Sequence, residues 1–197
     1  MRFAQGSGWR MSLDASWPLS VALYIRDALA LPATQPFFVP PVEPELPERI
    51  PVQGPLEIRL LADEWELWFT ALINNRSGSR SLDELLLEDR HLDLQSAVER
   101  CFIAAQSAAE LFKLSFHDEL MRSGKNHAAI PSRLVHTIEK ELGHSAAPFE
   151  LAVRVLPVQG QWLHRPSPRL VLMSSAVAFD PEAQLRLLGP VLRELAR

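Results

Sequence analysis

With one cysteine in 197 residues, Cys101, the chain can form neither an intrachain disulfide nor a multi-cysteine zinc site. Glycine is scarce at 8 residues, which leaves little material for loops that cradle phosphate, and neither GxxxxGK[ST] nor GxGxxG occurs. HExxH and the GxSxG elbow that would expose a serine nucleophile are also missing. Lysine is rare: 17 of the 20 cationic residues are arginine, which reads as a nucleotide-composition bias of the source genome. A net charge of −4 with no clustered basic run argues against a generic nucleic-acid binder. The run Leu19–Ile25 is too short to span a membrane and marginal for a secretory signal, so a cytoplasmic protein is expected.

A hydrophobic content of 47% and a charged content of 22% are ordinary for a globular chain. Charge is unevenly spread. Residues 1–121 hold 18 acidic and 10 basic groups, residues 122–197 hold 6 and 10, and the two parts carry −8 and +4. Such asymmetry describes two solvated faces of opposite sign, and it can also orient a partner. Eight of the 16 prolines lie at 32, 36, 40, 41, 44, 47, 51 and 55, where neither a helix nor a central strand can run. The segment is an extended strap, with Phe37, Phe38 and Val39 as its anchors. Within it, Pro44–Arg49 formally matches a PxxPxR ligand, but two glutamates sit inside the match.

The first ten residues precede a second methionine, Met11, which competes with Met1 as the native start, and little order is expected there. Ser16 is a candidate N-cap for a short helix, with Pro18 tolerated in its first turn. Residues 56–60 alternate cleanly and 65–73 alternate again, which predicts a hairpin turning near Ala62–Glu64. Ser81-Leu82-Asp83-Glu84 fits a capping box. A helix then follows from Asp93 to Gly124, and another from Pro131 to Leu142, ended by Gly143. Segments 149–158 and 170–179 read as strands, and Asp180-Pro181 opens a terminal helix that Pro190 should break.

The resulting order predicts an α+β fold. Its four-stranded, largely antiparallel sheet, made of two hairpins, packs against a long central helix and shorter helices, with an N-terminal helix and proline-rich strap in front. The expected divisions are a weakly ordered 1–15, a helix and arm over 16–55, and one α+β domain over 56–197.

The long helix carries the functional expectation. Advancing 100° per residue from Leu94 puts Val98, Cys101, Ala105, Ala108, Phe112, Phe116 and Leu120 on one broad core face. Ile103, Leu114 and Met121 fall almost directly opposite, among polar residues, so the helix is apolar on two sides. Together with Trp68, on the charged side of its predicted strand, they are candidate interface residues. The small residues Ala104, Ala105, Ser107, Ala108 and Ala109 at mid-helix would let a second helix approach closely.

Histidine is the place to look for chemistry, being a common metal ligand and acid–base group. His136 and Glu139 lie one turn apart, but Gly143 ends the helix before His144 can join them. His117 and Asp118 are adjacent and point in different directions. No cofactor is implied. The expected function is therefore a non-enzymatic interaction or accessory protein that docks a protein partner or a second copy of itself through the two-sided helix. The alternatives are a small hydrolase or metal-dependent enzyme using His117, His136 and Glu139, and a small-ligand module with an apolar pocket.

Overall fold

Trp9–Ala15, read from the sequence as the end of a weakly ordered terminus, forms an inner strand of a sheet in the computed structural model. The structure describes residues 2–5, 8–32, 35, 37–46, 50, 54–75, 92–122 and 130–197. Two units divide the chain: a sheet unit of Met1–Ser16 with Lys113–Arg197, and a helical unit of Trp17–Phe112.

Among the described residues the sheet unit holds five strands, β1 (Arg2–Gln5), β2 (Trp9–Ala15), β3 (Phe149–Leu156), β4 (Leu163–Ser167) and β5 (Leu170–Ser174), in the order β1-β2-β3-β5-β4. β2, β3 and β5 are mutually parallel, while β1 and β4 are antiparallel edges. The sheet is thus mixed, and the expected four-stranded, largely antiparallel sheet of two hairpins is corrected. The cause is local. Between the two anticipated C-terminal strands the chain inserts β4, which takes the far edge, so β5 returns between β3 and β4 and runs parallel to β3. Pro166 is tolerated in β4 because an edge strand can spare a donor.

Alternation sorts the two faces of the sheet. On one face Trp9, Met11 and Ala15 are in register with Phe149, Leu151 and Val155, all buried, and the Trp9 and Phe149 rings stack at 5.9 Å. On the other, Asp14 is in register with Arg154 and the two pair at 3.2 Å. β5 is buried at every position, as the middle member of the β3-β5-β4 trio. Among the described residues, the Lys113–Arg122 end of a long helix and four shorter helices complete the unit: α4 (Ile130–Leu142), α5 (Ser175–Ala178), α6 (Pro181–Leu187) and α7 (Gly189–Leu195). Asp180 caps α6 by accepting from the Glu182 and Ala183 amides at 2.9 and 3.2 Å. The break at Leu188 falls where Pro190 forbids a continuous ladder. Gly143 ends α4 with φ of 76°, the left-handed geometry that glycine accepts without penalty.

The helical unit contains α1 (Trp17–Ala28), α2 (Pro55–Asn74) and the Leu92–Phe112 part of α3 (Leu92–Arg122). The predicted 56–73 hairpin is one helix of 20 residues. No glycine, proline or asparagine interrupts Ala62–Glu64. Leu61, Trp65, Trp68, Phe69 and Leu72 repeat at helical spacing and are all buried, and Pro55 sits in the first turn where its missing amide costs nothing. Short alternation over 56–60 was a coincidence of leucine and isoleucine placement, since Leu56 and Leu60 are exposed. α1 is buried on all sides from Leu19 to Arg26, and Trp65 Nε1 donates to the Ala22 carbonyl at 2.7 Å.

Described parts of the strap are fastened to these helices. Arg26, 4% exposed, donates from Nη1 to the Val39 carbonyl and from Nη2 to that of Pro40, both at 2.8 Å, and its guanidinium lies 5.8 Å from the Trp65 ring centroid. Asp27 accepts from the Val42 amide at 2.6 Å. Of the expected anchors, Val39 is buried and Phe37 lies against Phe69, whereas Phe38 is exposed. The capping box at 81–84 lies outside the described residues, as do Pro47–Arg49 of the PxxPxR match.

Tyr24, the single tyrosine, is buried, and its hydroxyl finds no hydrogen-bond partner among the described residues. Burial, with the Asp27 charge adding to it, pushes its pKa up to about 12. Because the fold favours the neutral phenol, its contribution to stability is complete below about pH 10 and lost as pH rises toward about 12. Near-ultraviolet titration of the phenolate should therefore give a midpoint of about 12, or coincide with loss of helix. A midpoint near the ordinary value of 10.0 with native circular dichroism would contradict this packing.

Candidate functional site

α3 is an unbroken helix of 31 residues without glycine or proline, rich in alanine and straight-chain residues. One side is packed: Leu94, Val98, Cys101, Ala105, Ala109, Phe116 and Leu120 are each at most 5% exposed. Phe116 meets Phe179 at 5.2 Å between ring centroids. Ala108 and Phe112, expected in that face, are only half-buried, and Ala109 takes the central place. Burial pushes the Cys101 thiol up to about 11, so at neutral pH it is a packed apolar group and not a nucleophile.

The other side of α3 presents large apolar side chains to solvent. Ile103 is 78% exposed, Leu111 67%, Leu114 60% and Met121 61%. Ile103, Leu114 and Met121 share one line along the helix, and Leu111 lies about 80° around from Ile103, outside the line that the sequence picks out. Between them Ala104, Ser107, Ser115 and Asp118 are exposed too, and the Ser107 hydroxyl donates back to the Ile103 carbonyl at 2.8 Å. All these positions belong to one helix, so its own backbone ladder sets their alignment.

Trp68 does not belong with them. It sits on α2, and its 0% exposure places it in the core of the helical unit beside Trp65 and Phe69. Its assignment to an interface followed from the strand reading of α2 and is corrected with it. Leu56 and Leu60 are exposed instead, and with Leu61 and Ala97 they line a groove of about 530 Å³ between α2 and the start of α3, rimmed by Glu57, Asp93 and Arg100.

The titratable candidates do not converge. His136 Nδ1 stands 3.8 Å from Glu139 Oε2 on the surface of α4, but Glu139 Oε1 accepts the Ala146 amide at 3.0 Å and holds the chain that leaves the helix. His144 Nδ1 faces the Ser145 carbonyl at 2.8 Å, and His117 is exposed on α3. Among the described residues no three of His, Cys, Asp and Glu are grouped to hold a metal. Ser174, at the end of β5, is fully buried and structural: its oxygen accepts from the Trp162 amide at 3.2 Å and, as the α5 cap, from that of Val177 at 3.4 Å. No helix among the described residues is long and apolar enough to cross a membrane.

Protein-family models, curated proteins and solved structures offer no match to this chain. One denaturation series separates the core from the exposed line. Trp68→Ala should lower stability by about 3–5 kcal/mol, while Ile103→Ala should stay within about 0.5 kcal/mol of the parent in urea unfolding. Equal costs would place both residues in the same environment and contradict the assignment.

Proposed function

We propose that the chain is a non-enzymatic interaction or accessory protein, cytoplasmic, that docks a protein partner or a second copy of itself through the outward side of α3. The observation that supports this is the exposure of Ile103, Leu111, Leu114 and Met121 along one helix whose opposite side is packed. A line of large apolar side chains in water is unfavourable by roughly 25 cal/mol for each Å² left uncovered, and a covering surface removes that cost. A protein surface suits the site better than nucleic acid. The net charge is −4, and the exposed cations of α3, among them Arg100 and Lys113, are interleaved with Glu99, Glu110 and Asp118.

The test pairs Ile103→Asp with Leu114→Asp. Both sites are exposed, so the variant should fold with circular dichroism unchanged. Affinity purification from the native host, with light scattering of the purified chain, should show the variant losing its bound protein, or its dimer mass, by about tenfold relative to the parent. Parent and variant retaining the same proteins at the same mass would sink the proposal.

A further inference from the structure

Resting on the interaction just proposed, we infer that the occupant of this surface is a second copy of the chain, paired antiparallel through the outward side of α3 about a two-fold axis that crosses the helix at the level of Ala109. Positions Arg100, Ala104, Ser107, Leu111, Leu114 and Asp118 are spaced alternately by four and three residues, the spacing of a helix–helix seam, and all six are exposed. A two-fold at Ala109 sets residue 107 opposite 111, 104 opposite 114, and 100 opposite 118. Each layer is then complementary. Leu111 lies over Ser107 and Leu114 over Ala104, large against small, which lets the two backbones approach closely. At both ends Arg100 of one copy meets Asp118 of the other.

The charges argue for this occupant and this direction. Neither Arg100 nor Asp118 makes an ion pair among the described residues, and they stand about 27 Å apart at the two ends of the seam. A parallel pair would oppose arginine to arginine and aspartate to aspartate, whereas the antiparallel pair neutralises both ends with one self-complementary patch, as a two-fold interface requires. The seam also continues into a cavity. The same register sets Met121 of the second copy level with Ala97, which lines the groove of about 530 Å³ with Leu56 and Leu60.

Sedimentation equilibrium of the full chain from about 5 to 200 μM tests it, a range suited to an interface at the small end of stable complexes. The parent should dimerise. Arg100→Asp or Asp118→Arg alone should raise the dissociation constant by about tenfold, since each places like charges at both ends of the pair, and combining the two should restore it to within about twofold. All three variants should keep the parent's circular dichroism, because both positions are exposed. A parent that stays monomeric throughout, single reversals without effect, or a double variant as weak as the singles would each overturn the pairing. If the parent is monomeric yet Leu114→Asp still releases a bound host protein, only the self-pairing fails. If it is monomeric and Leu114→Asp releases nothing, the broader interaction proposal fails with it.

Discussion

Parallel pairing of β2 with β3 is the constraint on which the sheet unit depends. Seven consecutive registers, from Trp9 with Phe149 to Ala15 with Val155, join segments some 140 residues apart, as the Asp14–Arg154 ion pair marks directly. Closing so long a loop costs entropy that grows only logarithmically with length, so the whole Trp17–Phe112 unit can lie between the two strands without a proportionate penalty. The pairing must still be specific. A one-residue slip would exchange Trp9, Met11 and Ala15 for Arg10, Ser12 and Asp14 on the buried face, moving charge into the core and separating Asp14 from Arg154. The order in which such a sheet assembles follows: the local β4–β5 pairing closes few residues, and β2 joins through contacts of high sequence separation.

The helical unit depends on a different device. A strap rich in proline cannot satisfy itself with a backbone ladder, so its carbonyls need donors from elsewhere. Arg26 supplies two from a single guanidinium, and Asp27 takes the Val42 amide in return. A buried arginine is tolerable here because its donors reach carbonyls and a carboxylate while its face rests near Trp65. An exposed helix would have no use for that residue. In α1, buried on every side, it is the polar group that turns an otherwise apolar cylinder into an attachment for the strap.

Much of the fold was legible where local chemistry decides the outcome. The glycine- and proline-free run of α3, Gly143 after α4, Asp180 at the head of α6 and the break imposed by Pro190 all have causes within a few residues. What was not legible depended on distant partners. In Trp9–Ala15 only the alternation Trp9, Met11, Leu13 hints at a strand, and its pairing with Phe149–Leu156 has no local mark at all. β4, with five half-buried residues and a proline, lacks the apolar alternation by which strands are recognised. α2 failed for the opposite reason: its apolar residues satisfy both periods at the start, and only the run from Leu61 to Leu72 separates them. Trp68 shows how such an error spreads, because a wrong period turned a core residue into an exposed one.

The site on α3 divides the same way. Counting apolar residues around the helix finds Ile103, Leu114 and Met121, because periodicity weighs only what is hydrophobic. Ala104 and Ser107 enter separately, as small side chains that leave room for a second helix, while the count passes over Arg100 and Asp118, which look like ordinary solvated charges until both prove exposed and without an ion pair among the described residues. Leu111 was missed because it lies between the apolar line and the flank. With it included, the centre of the outward surface shifts from the Ile103 line toward Ser107. That shift matters physically: a seam made only of Ile103, Leu114 and Met121 would be attractive but would favour no direction, since dispersion and burial are non-directional. Opposite charges at its two ends, with small residues facing large ones between them, assign a direction and a register, which is what separates a specific interface from a merely apolar one.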